Sequence, residues 1–166
     1  MNLKLIIMSR NYLFPARFQK FGWFLLVPFG LMFLLFAFGP DSIKEQWRMP
    51  VFAIADEELF QKTIWFSFTS NAVFDEVTLI GLIVSLLLIA FSKEKEEDEF
   101  ISQIRLNSLV WALLINYGIL ILAELFVYAF SFLNILYFNL IMILVLFVIK
   151  FRIELHKLKT NAGNEK

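Results

Sequence analysis

The 166-residue chain has no cysteine and one histidine, His156. The first absence excludes disulfides, thiolate metal sites and thiol nucleophiles. The second leaves no histidine cluster to hold a metal. Charge is also scarce, at 18 % of residues against about 25 % in an ordinary soluble domain. The 15 basic and 15 acidic residues cancel, so no net field recruits a polyanion and nucleic acid is not an expected partner. GxSxG, GxxxxGKS, HExxH and GxGxxG are all missing from the sequence. Intramembrane proteolysis needs paired aspartates, a serine–histidine pair or a metal, and the apolar runs supply none of them. The chain therefore reads as non-enzymatic, with no cofactor.

What fills the sequence is apolar surface. Hydrophobic residues make up 60 % and phenylalanine alone occupies 21 positions. A membrane-spanning helix needs about 20 mostly apolar residues, and four stretches qualify. Residues 21–39 are uncharged, residues 109–130 carry one charge at Glu124, and residues 135–149 are uncharged and extend back to 133. Residues 77–91 are uncharged but short, and they span when lengthened to 74–92 or when the bilayer thins locally. No stretch shows the period-2 alternation of a membrane barrel strand. The expected fold is all-α: one polytopic membrane domain over 1–166, with spans near 21–39, 74–92, 109–130 and 133–149. The first span is too long for a signal peptide and no small-x-small cleavage site follows it.

The basic residues orient these spans. Placing the N-terminus in the cytoplasm puts 12 lysines and arginines inside, leaving Lys44, Arg48 and Lys62 outside. Trp23 and Trp111 then fall at inner span ends, and Trp47 and Trp65 in the outer segment. Both termini are expected in the cytoplasm of a bacterium, with the chain in its inner membrane.

Three non-spanning pieces follow from this topology. The outer segment, residues 40–76, carries seven acids and a set of aromatic residues, and is too short to build its own core. Asp56, Glu57 and Glu58 read as a helix start, with Phe60, Ile64 and Phe68 on one face. Such a helix lies on the bilayer; the alternative is a surface that binds a ligand or partner. The inner loop, residues 92–108, crowds five acids into residues 94–99. Glu96, Glu97, Asp98 and Glu99 either form a solvated helix entrance, favoured by the helix dipole, or dock a basic surface of a cytoplasmic partner. The tail, residues 150–166, continues the fourth helix. Its basic edge of Arg152, His156 and Lys159 suits anionic lipid headgroups.

The stretches LFPARFQKFGW (residues 13–23) and SKEKEEDEFISQIRLNSLVWALLINY (residues 92–117) resemble a group of small, uncharacterised four-span bacterial membrane proteins. The resemblance implies the four-span architecture and transfers no catalytic or binding residues.

Glu124 is the one acid inside a span, where a charge costs about 2.5–3.5 kcal/mol near the bilayer centre. A turn at residues 131–134 would bring Glu124 and Asn139 to within about 3 Å in depth, so that they can hydrogen-bond. Tyr117, Glu124 and Tyr128 share a helix face at i, i+7 and i+11. Glu124 holds the hairpin together as a neutral acid, couples proton or cation movement, or lies exposed or snorkelling. Asn116 lies deeper, level with Ser85 of the second span, as a structural pair. Pro28 interrupts the hydrogen bonding of the first span. The expected function is that of an accessory or signalling-associated membrane protein coupling the outer segment to the inner loop through a membrane or cytoplasmic partner. The alternative is a small transporter or channel subunit using Glu124. Four helices of this size do not readily enclose a path alone, so that alternative requires a homo-oligomer.

Overall fold

The computed structural model describes residues 13–40, 42, 46–56, 63–95 and 97–164. The chain is mostly helical, in the order α1 (Ala16–Phe38), β1 (Arg48–Asp56), β2 (Ile64–Ala72), α2 (Phe74–Ala90), α3 (Glu99–Phe126) and α4 (Phe130–Asn164). Among the described residues three helices are long and apolar enough to cross a membrane: α1, α3, and α4 over Phe130–Thr160. The fourth expected span corresponds to α2. Its 17 residues reach about 26 Å, against a hydrocarbon core of about 30 Å.

The chain divides into two compact units. One contains the described residues of Met1–Leu26 and Ile83–Lys166, the other those of Val27–Leu82. In α1 the boundary falls beside Pro28, the proline inside that helix.

Within the second unit the expectation of an all-α fold fails. Of the residues expected to form an interfacial helix from Asp56 onward, those described, Asp56 and residues 64–68, belong to the strands of a β-hairpin instead. β1 and β2 pair antiparallel from Arg48↔Ala72 to Asp56↔Ile64. Of the expected helical face, Phe60 lies outside the described residues, and Ile64 and Phe68 belong to β2. The reason is local chemistry. Val51, Ile54, Ile64 and Thr69 are β-branched, and Phe52, Trp65, Phe66 and Phe68 are aromatic, the side chains that fit a pleated surface. Phe52 faces Phe68 across the ladder, with ring centroids 5.4 Å apart, a favourable cross-strand pair. Phe66 has φ 56°, a strained conformation for a bulky side chain, and the Ile54–Phe66 step drops out of the paired register.

The hairpin feeds directly into α2. The Val73 amide donates to the Trp47 carbonyl at 3.1 Å, and the Trp47 and Phe74 rings meet edge-on at 5.6 Å. The Asn71 side-chain amide donates to Glu76 Oε1 at 2.6 Å. In the same unit the Phe29 ring fills the place a side chain at Gly81 would take.

The first unit is built on α3 and α4, which return antiparallel through residues 127–129. The turn therefore precedes the expected position at 131–134. Ala129 takes φ 58°, and its carbonyl accepts from the Phe132 amide at 3.0 Å, starting α4 at once. Phe147 and Phe151 stack at 5.9 Å in the core, and Phe91 packs on Phe147 at 5.7 Å. The α1 segment of this unit meets α2 at the buried Gly22. A Cβ there would lie 2.9 Å from Ile89 Cγ1 and 3.0 Å from the Ser85 carbonyl oxygen. Small residues permit this close approach of apolar helices, where van der Waals packing drives association.

That contact predicts a paired result. Gly22→Ala should lower stability by about 1–3 kcal/mol, the cost of overpacking. Gly30→Ala, whose added carbon meets nothing within 4 Å, should leave stability unchanged or raise it by up to about 1 kcal/mol through helix propensity. Thermal unfolding of both variants in detergent micelles is the check, and equal shifts would remove Gly22 from its role.

Candidate functional site

Of the four candidate intramembrane polar residues, Asn116 and Asn139 pair with each other. Asn116 is 3 % exposed. Its Nδ2 donates to Asn139 Oδ1 at 3.4 Å, and Asn139 Nδ2 donates to Asn116 Oδ1 at 3.1 Å. This reciprocal amide pair links α3 to α4. It replaces the expected Glu124–Asn139 bond and supplies Asn116 with a partner on α4 instead of Ser85. The early turn is the cause. Counted from Tyr128, Asn116 lies twelve residues back and Asn139 eleven forward, so their depths differ by about 1.5 Å. Glu124 is only four residues from that point.

Glu124 and Tyr117 lie apart from the pair. Both are exposed along α3; Tyr128 is exposed too, and its hydroxyl donates to the Leu125 carbonyl at 2.7 Å. The expected stripe is cut short: Tyr117 and Glu124 lie on α3, but Tyr128 falls beyond its end at Phe126 and its extended cap residue Val127.

The densest polar chemistry gathers where α3 begins. Asp98 caps α3: its Oδ1 accepts from the Ile101 amide at 2.7 Å. Glu99 occupies the first turn, favoured there by the dipole. Glu97 turns inward to Arg105, a residue 7 % exposed. Arg105 Nη1 donates to Glu97 Oε1 at 2.5 Å and Nη2 to Glu97 Oε2 at 3.1 Å. This is a two-pronged pairing of the kind that fixes geometry as well as charge. Arg105 Nη2 also reaches the Ser92 carbonyl at 3.3 Å, and the guanidinium lies 4.9 Å from the Phe151 ring centroid.

A second arginine extends the network. Arg152 Nη1 donates to Glu94 Oε1 at 3.0 Å, and the Gln19 amide donates to the same oxygen at 2.6 Å. The Arg152 guanidinium stands 5.8 Å from the Trp23 ring centroid, a cation–π distance. The Glu94 amide donates to Glu97 Oε2 at 2.8 Å, joining the two halves. Residues 13–15 add a backbone strap, with the Phe14 amide donating to the Phe91 carbonyl and the Lys93 amide to the Phe14 carbonyl. Lys150 pairs with Glu154 at 2.8 Å and sits 5.5 Å from the Trp111 ring centroid.

The acidic quartet is therefore distributed among separate tasks. Glu97 neutralises Arg105, Asp98 caps a helix, Glu99 stands in the first turn and Glu96 lies outside the described residues. A basic partner would have to displace Arg105 to reach Glu97. In the sequence, Arg105 reads as a topology marker only, and Arg152 as a topology marker and part of a basic edge suited to anionic lipid headgroups. The signal available was an arginine and a glutamate two helical turns apart at the mouth of an apolar helix.

The Glu97–Arg105 pair yields a double-variant prediction. Glu97→Gln leaves the largely buried Arg105 charge without its counter-ion and should lower stability by about 3 kcal/mol. Glu97→Leu combined with Arg105→Leu removes both charges and should lose markedly less. Chemical denaturation in micelles measures both, and additive losses would mean the pair is uncoupled.

Comparison of the chain with protein-family models, with curated proteins and with solved structures finds no match to any of them.

Proposed function

We propose that the chain is a four-span protein of the bacterial inner membrane, with both termini cytoplasmic, acting without catalysis as an accessory or signalling-associated partner of a larger membrane protein. The lysine and arginine distribution supports the orientation. Helix α2 serves as the short second span, accommodated by local thinning. The likeness to small four-span bacterial proteins agrees with this count.

The observation that carries the functional reading is the hairpin. Phe52, Ile54, Phe66 and Phe68 are 56–79 % exposed; the register sets Phe52 opposite Phe68, and the Phe66 ring lies 6.4 Å from that of Phe52. Contiguous exposed aromatic surface marks an interaction site. In this topology it faces outward from the cell, where it can report on or steady a partner.

Two measurements test the proposal. The natural absence of cysteine makes single-cysteine labelling clean. Cysteines at Ser42 and Ser70 should react with an impermeant reagent in intact cells, while those at Ser9, Ser102 and Thr160 stay protected. Labelling of Ser102→Cys would refute the topology. Mild-detergent purification should then recover a larger membrane protein with the parent chain and lose it with Phe52→Ser/Phe68→Ser. Equal recovery would sink the hairpin reading.

Exposed Glu124 favours one second reading, an oligomeric transporter or channel subunit in which neighbouring copies surround that acid. It predicts proton or cation flux in proteoliposomes that Glu124→Gln abolishes without changing stability or oligomer size.

A further inference from the structure

We infer that the cavity bordered by Gln19, Lys95, Arg152 and Lys159 is a binding site for the phosphate headgroup of one anionic glycerophospholipid. The cavity has a volume of about 640 Å3, room for a headgroup and its glycerol. Arg152 is the reason to expect an anion there. Its Nη1 is committed to Glu94, but Nε and Nη2 are buried and have no hydrogen-bond partner among the described residues. Buried donors without acceptors are costly, and native proteins seldom leave them so. These two nitrogens form one side of the planar guanidinium, the side that receives two oxygens of a phosphate at once.

The remaining lining fits a single negative charge. Lys95, Arg152 and Lys159 face Glu94 and Asp98, which leaves one net positive charge. Both acids already have partners: Glu94 accepts from Gln19 and Arg152, and Asp98 accepts from the Ile101 amide. A phosphodiester completes the balance.

Depth and the apolar wall select a lipid over a soluble phosphate. The uncharged run of α4 ends at Ile149, so Arg152 lies about 4.5 Å beyond it along the helix, at headgroup level if α4 spans. The site rests on that part of the proposed topology. Ile101, Leu155 and Leu158 form the rest of the wall, suited to the glycerol and the first methylenes of an acyl chain. A soluble phosphate would have no use for them.

The test is native mass spectrometry of the purified full chain after exchange into equal phosphatidylglycerol and phosphatidylcholine. The parent should retain one phosphatidylglycerol with about tenfold preference, and Arg152→Gln should lose that preference. Lys157→Gln, outside the cavity, should keep it. If Arg152→Gln does not fold, Lys95→Gln/Lys159→Gln alters two exposed side chains and should reduce retention in the same direction. Equal retention of the two lipids, or unchanged preference in a cavity variant that folds, overturns the site. Release of the lipid by millimolar inorganic phosphate overturns the lipid assignment in favour of a soluble phosphate. Extraction of the chain from membranes by alkaline carbonate without detergent overturns the spanning reading instead, independently of any lipid preference.

Discussion

A guanidinium that is 7 % exposed must find its counter-charge and hydrogen-bond acceptors inside the protein, because burial of an unpaired charge costs several kcal/mol. Arg105 meets that demand from one loop at its two terminal nitrogens, while its Nε has no hydrogen-bond partner among the described residues. Glu97 supplies both carboxylate oxygens and Ser92 supplies a carbonyl. The connection between α2 and α3 is thereby held over the start of α3 and against Phe151 of α4. Other contacts build on that closure. With Glu97 in place, the Glu94 amide has an acceptor, and Glu94 can then receive Gln19 from α1 and Arg152 from α4. A cluster of acids that would repel one another in isolation becomes the tie between three helices.

The two arginines differ in a way that separates structure from binding. Arg105 is paired at both terminal nitrogens, so its position is determined by the chain itself. Arg152 is paired at one nitrogen and stands 5.8 Å from the Trp23 ring centroid; it lines a cavity, and its Nε and Nη2 are buried without a hydrogen-bond partner among the described residues. Fully satisfied polar networks rigidify, and partly satisfied ones ask for a further partner. The Asn116–Asn139 pair belongs to the first kind. Its worth is modest, since interhelical bonds of this type average about 0.6 kcal/mol in a well-measured membrane protein. Its value lies in register: two amides meet only when α3 and α4 stand at the depth set by the turn.

The long apolar helices were legible because a run of 19 uncharged residues admits few alternatives to a helix in lipid. The hairpin was not, although its residues carried the signal. Phe66, Ser67, Phe68 and Thr69 alternate apolar with polar, the period of a strand. The acids at 56–58 and the spacing of Phe60, Ile64 and Phe68 suggested a helix, and short amphipathic stretches satisfy both templates. Turn placement failed for a different reason. Ser131 and Asn134 favour turns by composition, yet the chain reverses earlier, with Ala129 in the left-handed region. Nothing in an alanine announces that conformation. The error of a few residues then changed which residue faced Asn139, Asn116 in place of Glu124, because helix depth accumulates at about 1.5 Å per residue.

Glu124 shows where single-chain packing stops accounting for the sequence. Its neighbours Ile121, Leu122 and Leu125 are exposed apolar side chains suited to lipid, but a carboxyl among them is not. A protonated acid still needs a hydrogen-bond partner in hydrocarbon, and Asn139, the nearest candidate by sequence, is already taken by Asn116. The hairpin poses the same problem with apolar surface in place of a polar group: Phe52 and Phe68 cover each other at 5.4 Å and remain open on their outer faces. Both features are expensive in an isolated chain and ordinary at an interface, where a neighbouring helix supplies the donor and a neighbouring surface covers the rings. It is on these two features, rather than on any catalytic geometry, that the reading of the chain as one member of a larger assembly rests.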